Sequence, residues 1–331
     1  MTAPRRFLRV AVQCLHDAVY FVDAQRSITF FNQGAEDLTG HSEAEVLGRR
    51  CGPALFAHVD EHGNALCETE CPITAALAQG SAGERLVFLR HRQGHRIPAD
   101  LRVAPVLGDS GEPVGAVVVF RQAYRSMDPP QADQPGPNSV NAAGRGTLAT
   151  RARLERRWGE LAASAGHHAT FGVLVIDIDA WDEVVQAQGS MVHESLSAIV
   201  AQTLAANLRG EDAVAQLGPA RFAALLADSN GTRMSAVAER LRALVSQTVV
   251  RLPHGQLKPT VSIGATRYRT GETRHDCLAR AEDLAFASRA AGGNLVSFDP
   301  AVVPKSGVQH KSIEPKPSGH SQAPKSLKKS G

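Results

Sequence analysis

Short β-rich runs and longer stretches at helical spacing alternate along the chain and divide it into two halves. Between residues 18 and 122 the apolar positions cluster as AVYFVD, ITFFN, ERLVFLRH, RIPADLRVAPVL and PVGAVVVFRQ, separated by turn-forming residues. Runs of this length bounded by Gly, Asp and Asn predict strands joined by hairpins. Ahead of them Phe7, Val10, Ala11, Cys14 and Leu15 recur at helical spacing and predict a short amphipathic helix. Ser42 with Glu45 three residues on forms a capping box that opens another. Pro72 starts a third, ITAALAQ, ending at Gly80, which places Cys71 at a helix N-terminus. There the partial positive charge of the helix end lowers a thiol pKa. His91 and His95 flank a turn, RQGH, and read as exposed polar residues.

The second half opens with a helical stretch, TLATRARLERRWGEL, and a continuous apolar strand ending in two acids, FGVLVIDID, with Asp177 and Asp179 at its end. A helix pair follows in WDEVVQAQGSMVHESLSAIVAQTLAANL. Then comes AVAQL, a turn at Gly218-Pro219, and RFAALLA, which is a hairpin pattern. A strand, TVSIGAT, and a closing helix–strand unit to Phe298 complete it. Strand, helices, hairpin, helix and strand in this order predict an α/β sandwich around a largely antiparallel sheet.

At 331 residues, 43% hydrophobic and 21% charged, the chain has room for two globular domains. Residues 124–146 hold four prolines and no apolar periodicity, so they read as a linker. Proline at that density cannot sustain a continuous signalling helix, which directs any coupling between the halves to domain docking or local concentration. No run approaches the roughly 18 apolar residues of a membrane span. The N-terminus lacks a signal-peptide pattern, and a cytoplasmic location with reduced thiols is expected. The net charge of +3 is uneven: six Lys against one Glu put +5 on residues 301–331, leaving −2 on the preceding 300. A nucleic-acid-binding body is therefore not expected, and the Pro/Ser/Lys-rich segment 300–331 reads as a disordered basic tail.

The first half resembles a PAS domain over residues 8–122: a hairpin, then NQGAEDLTGH, a "G+" turn at Gly48-Arg49, and three further strands. The second half, residues 147–299, resembles the GGDEF domain of diguanylate cyclases, which condense two GTP into cyclic di-GMP. The resemblance implies an α+β chain of two domains. One is a PAS fold, an antiparallel five-stranded sheet with short helices, in residues 1–123. The other is a nucleotidyl-cyclase-like sandwich.

The signature falls on residues 218–222 and reads GPARF. The family takes one metal ligand from the first acid after the core strand, kept here as Asp177. It takes another from the third signature residue, which is Ala220. The guanine-contacting Glu is Arg221, and the Gly needed for close backbone approach is Pro219. The phosphate-binding Lys is Asp182, the guanine-reading Asn is Val185, and Glu194 stands at the second guanine contact. Arg289 keeps the cation of the closing helix. Loss of a metal-holding carboxylate alone removes orders of magnitude in rate, so the resemblance implies a domain without cyclase turnover. The family's inhibitory "R-x-x-D" site is retained as Arg209 and Asp212, a candidate site for cyclic di-GMP through bidentate contacts to phosphate and guanine.

One segment of the first half stands out: Cys51, His58, Asp60, His62, Cys67 and Cys71 lie within 21 residues. Thiolates at this density could hold zinc or an iron–sulfur cluster, with His58 or His62 as fourth ligand. Cys67 and Cys71 could instead form a redox-switched disulfide, and three reduced thiols in a packed loop account for the segment equally well. The chain thus reads as a PAS sensor joined to a degenerate GGDEF domain serving as a cyclic di-GMP receptor or interaction module, a homodimer through its PAS domain with a further signalling partner. Two alternatives are a weak cyclase and a scaffold that binds no nucleotide. No phosphodiesterase motif is present.

Overall fold

The computed structural model describes residues 9–123, 148–164, 171–188, 190–227, 230–252 and 255–300. The expected linker and basic tail lie outside the described residues, apart from Pro300.

A helical turn at residues 9–13 leads into the first domain. Its five strands are β1 (Ala18–Asp23), β2 (Ile28–Phe31), β3 (Gly83–Arg90), β4 (Arg96–Leu107) and β5 (Pro113–Gln122). They form one antiparallel sheet in the order β2-β1-β5-β4-β3. In β4 the alternation is visible residue by residue: Leu101 and Val103 are buried while Asp100 and Arg102 face outward. The inner face meets the short helices α1 (Gln33–Thr39), α2 (Glu43–Val46) and α3 (Pro72–Gln79) over a core of Tyr20, Phe31, Phe56 and Phe120. Burial of each such ring contributes roughly 1.5–3 kcal/mol. Asn32 caps α1 and the capping box of Ser42 and Glu45 opens α2. Cys71 is the N-cap of α3.

The second domain is built on a five-stranded sheet in the order β12-β11-β6-β8-β7. Its strands are β6 (Gly172–Ile178), β7 (Ala213–Gly218), β8 (Arg221–Leu226), β11 (Val261–Arg267) and β12 (Val296–Phe298), with a separate ribbon of β9 (Val250–Leu252) and β10 (Gly255–Leu257). All its pairings are antiparallel except β11 with β12. Every residue of β6 is buried, because helices cover both faces of the central strand. The helices are α4 (Arg151–Ser164), α5 (Trp181–Gln188), α6 (Ser190–Ala206), α7 (Gly231–Ser246) and α8 (Arg274–Ala290). A Cβ on Gly264 would lie 1.9 Å from the Ala281 carbonyl oxygen, so glycine there lets α8 lie directly on β11.

The two domains touch directly. The β3–β4 turn of the first domain is seated against α6, α7 and the start of β9. Gly94, at φ +107°, accepts a hydrogen bond from the Val249 amide at 3.2 Å. Any Cβ at Gly94 would meet the Val249 carbonyl oxygen at 1.9 Å. Val59, Phe88 and Leu244 form an apolar cluster across the same joint. His91 and His95, expected to be exposed, are both buried. The cause lies in packing: the His91 ring rests on Gly40, where an added Cβ would lie 2.4 Å from Nε2, and His95 stacks on His91.

Candidate functional site

The signature hairpin meets the acids of the core strand where β6 leaves the sheet. Register pairs Asp177 on β6 with Arg221 on β8, and the Ile178 amide donates to the Ala220 carbonyl at 2.8 Å. The signature hairpin therefore reaches the first acid of the strand, as the resemblance implies. What occupies the site is a pair of arginines. Arg221 Nε donates to Asp177 Oδ1 at 2.7 Å and Nη2 to Oδ2 at 2.8 Å, a bidentate fork. Arg289 Nη2, from α8, donates to the same Oδ2 at 3.0 Å. The Asp177 side chain is only 4% exposed, while Arg221 and Arg289 are 35% and 45% exposed. The hydrogen bond to Asp177 holds the Arg221 guanidinium above its ordinary pKa. Glu282 adds a looser contact to Arg221 Nη1 at 3.7 Å.

These residues do not fit a divalent cation. One carboxylate faces two guanidiniums that stay charged at any accessible pH, so the local formal charge is already positive. Ala220 offers a methyl group packed against the core where a second oxygen ligand would be needed. The remaining positions lie as expected on the surrounding elements: Asp182 is exposed and Val185 half-buried on α5, Glu194 is exposed on α6, and Pro219 is exposed in the turn. Asp179, which the sequence offers as a second acid, is also engaged. It accepts from Thr260 Oγ1 at 2.7 Å, from Ser262 Oγ at 2.6 Å and from the Asn294 amide at 2.8 Å. These three partners lie more than 80 residues away and left no local signal.

Of Arg209 and Asp212, the candidate site for cyclic di-GMP, the acid is bonded within the domain. The Asp212 side chain is 1% exposed and ion-paired to Arg233 of α7, with Nη2 at 3.2 Å from Oδ1 and 3.3 Å from Oδ2. It also accepts from the Ala227 amide at 3.0 Å and the Arg209 amide at 3.2 Å. Burial raises its pKa, with the Arg233 charge opposing. Arg209 itself is exposed. The carboxylate that would read guanine is thus committed to tying β8 and α7 to the chain entering β7.

Three of the first domain's four cysteines, Cys51, Cys67 and Cys71, are buried and all bear on Tyr20, whose pKa is raised by burial first and then by their charges. Cys51 Sγ lies 3.4 Å from the Tyr20 hydroxyl, and Cys67 Sγ lies 3.9 Å from His58 Nδ1. Among the described residues, no group of three or more His, Cys, Asp or Glu side chains is placed to hold a metal ion, so Cys51, Cys67, Cys71 and His58 do not form the tetrahedral set that their spacing allows. Tyr20 and Phe56 share one apolar cluster with Cys51 and Cys71, and the rings of Phe56 and His58 stack at 5.9 Å. The thiols differ. Burial pushes Cys51 up to about 12. In Cys71 burial is outweighed by hydrogen bonds from Thr74, Arg26 and the Ile73 amide, and its pKa falls below the ordinary value. Position at a helix N-terminus is part of that set of bonds, as the sequence indicates.

A family model described as "Diguanylate cyclase, GGDEF domain" matches residues 146–295, and a PAS domain model matches residues 16–121. The chain carries a PAS domain followed by a GGDEF domain of the diguanylate cyclase family. Probable diguanylate cyclase DgcE of Escherichia coli is 26% identical over 240 residues, covering 72% of this chain and 21% of that protein. Diguanylate cyclase A of Treponema denticola is 26% identical over 137 residues, 41% of this chain and 37% of the relative. The PAS–GGDEF chain therefore spans about a fifth of DgcE and little more than a third of the second relative. Among solved structures, diguanylate cyclase SiaD with its activator SiaC from Pseudomonas aeruginosa has a TM-score of 0.46 at 25% identity, covering 51% of this chain and 62% of that one. The PAS domain of a protein from Colwellia psychrerythraea has a TM-score of 0.31 at 21% identity, covering 36% of this chain and 96% of that one. No helix among the described residues is long and apolar enough to cross a membrane.

Proposed function

We propose that this PAS–GGDEF protein is a signalling component whose GGDEF domain does not convert GTP to cyclic di-GMP. The observation that carries the reading is the Arg221 fork on Asp177. The carboxylate that a divalent ion would need is taken up by two guanidiniums. Condensing two GTP requires metal-assisted activation of a 3′-hydroxyl and neutralisation of a triphosphate, and the family positions for a metal ligand and for the phosphate-binding Lys hold Ala220 and Asp182, while the guanine-reading position holds Val185. Arginine here acts as an internal counter-ion that keeps the strand end folded without metal. The output is then a protein–protein signal set by the PAS domain, with homodimers formed through that domain.

Incubation of the full chain with GTP and Mg²⁺ or Mn²⁺, followed by chromatography of the nucleotides, tests this. No protein-dependent cyclic di-GMP is expected, and its formation at a rate proportional to enzyme would overturn the reading. The geometry at Asp212 does not favour a receptor for the cyclic dinucleotide, and titration calorimetry with that ligand separates the receptor from the interaction module.

A further inference from the structure

Residues 58–66 form a small hairpin that belongs to the first domain and rests on the second. Val59 bridges Ala65 across it and also pairs with Phe88 of β3, the edge strand of the sheet. The Val59 amide donates to the Phe88 carbonyl at 3.1 Å, and the Phe88 amide to the Val59 carbonyl at 2.8 Å. The Leu66 amide closes the base on the His58 carbonyl at 2.9 Å. Asp60 shapes the tip: its carboxylate accepts from the His62 and Asn64 amides at 2.9 and 2.8 Å and from Asn64 Nδ2 at 2.9 Å. Gly63 completes the turn at φ +82°. At its base the hairpin touches the PAS core. His58, 3% exposed, stacks on Phe56 at 5.9 Å between ring centroids, and its Nδ1 lies 3.9 Å from Cys67 Sγ.

The C-terminal end of α7 closes over this hairpin from the second domain. Val59 and Phe88 share one apolar cluster with Leu244, which is fully buried. A Cβ on Gly63 would lie 3.2 Å from the Ala243 carbonyl oxygen and 3.3 Å from Gln247 Cγ, so the tip abuts the helix end. One buried guanidinium ties the two together. Arg96, 2% exposed, sends Nη1 to the carbonyl of Ala57, just before the hairpin, and to that of Phe88 at 3.1 Å. Its Nε and Nη2 reach the Gln247 carbonyl at 3.0 and 2.8 Å. Its backbone is held from the second domain as well: the amide donates to Thr203 Oγ1 at 3.3 Å, and the carbonyl accepts from Asn207 Nδ2 at 3.1 Å. The hairpin thus lies between the edge of the first sheet and α7, and it cannot swing outward while α7 is in place. Ala57 and Val59, the neighbours of His58, are the residues that meet Arg96 and Leu244.

We propose that the hairpin of residues 58–66 is the element through which the PAS domain acts on the GGDEF domain, passing a change at the contact of Cys67, His58 and Phe56 to the C-terminal end of α7. The route consists of direct contacts and does not use the proline-rich segment 124–146. Its receiving end is placed to matter. Leu241 and Val245, on the same helix as Leu244, share the GGDEF core with Phe222, the neighbour of Arg221 in the signature hairpin. Coupling of this kind is reciprocal: if loosening the hairpin undocks α7, loosening the α7 contact frees the hairpin by the same factor. It operates with or without nucleotide turnover.

Amide hydrogen exchange on the full chain reads both ends of the route. The Leu66 amide reports the hairpin, and the Val249 amide, which donates to the Gly94 carbonyl at 3.2 Å, reports the joint. The Val118 and Val175 amides, in the central strands of the two sheets, report each domain as a whole. Leu244→Ala, in the second domain, should raise the opening constants of Leu66 and Val249 together, about 30-fold. Asp60→Ala, in the first, takes the carboxylate from the turn and should raise both about tenfold, with Asp60→Asn, which keeps one acceptor oxygen, raising them less. Cys67→Ala, which removes the thiol beside His58, should raise both about fivefold. The proposal is overturned if Asp60→Ala or Cys67→Ala leaves Val249 within about twofold of the native chain, or if Leu244→Ala leaves Leu66 so. A rise that Val118 or Val175 shares is unfolding of a whole domain and overturns it too.

Discussion

Replacing Asp177 by Asn separates two opposite accounts of the GGDEF site by the sign of one number. A carboxylate retained to bind metal is held among like charges, and its neutral amide relieves that repulsion and stabilises the metal-free protein. A carboxylate held by two guanidiniums is an internal ion pair, and its loss destabilises. Three charge-assisted hydrogen bonds end on Asp177, each of a kind that contributes about 1.5–3 kcal/mol. Removing one partner of a fully buried pair costs about 3–5 kcal/mol. Here the two arginines are roughly two-fifths exposed and can turn to water, while Asn keeps one acceptor oxygen. The net loss should therefore be about 2–3 kcal/mol. Both tryptophans of the chain, Trp158 and Trp181, lie in the GGDEF domain, so urea unfolding followed by their fluorescence reports that domain. A lower midpoint with an unchanged slope is expected. A midpoint unchanged within about 0.5 kcal/mol, or a higher one, refutes the ion-pair account.

Three more outcomes follow from the same structure. Arg233→Met should destabilise the GGDEF domain by about 2 kcal/mol, since it strands the buried Asp212 carboxylate, and urea unfolding measures it. Calorimetry should find no heat with cyclic di-GMP in the native chain. In a timed reaction with a maleimide at pH 7.5, followed by mass spectrometry of peptides, Cys71 should modify well ahead of Cys51. Equal rates for the two thiols would mean that the bonds from Thr74 and Arg26 do not control the site.

The parts of this protein that were legible in its sequence are the local ones. The capping box at Ser42, the cap position of Cys71 and the hairpin around Gly218-Pro219 each follow from residues within four positions of one another. Two domains and their sheets follow from apolar runs and turn residues. What stayed hidden depends on contacts between distant positions. Arg221 was legible as a departure from the family pattern, yet its engagement of Asp177 requires the register of strands 44 residues apart, and Arg289 comes from 112 residues away. Asp212 looked free because its partner Arg233 lies on the next helix. His91 and His95 looked exposed because they flank a turn, yet the His91 ring rests on Gly40, from a distant segment, and His95 stacks on His91. Arg96 gave no signal at all in the polar run HRQGHR, although it carries the joint.

The central claim is that arginine has taken the place of metal in the GGDEF site. It is tested most directly by Mn²⁺ binding to the full chain with and without GTP, read by electron paramagnetic resonance alongside nucleotide chromatography. The account predicts no Mn²⁺ signal that depends on Asp177 and no cyclic di-GMP. Bound Mn²⁺ that disappears in Asp177→Asn, accompanied by cyclic di-GMP in the native chain alone, would contradict it.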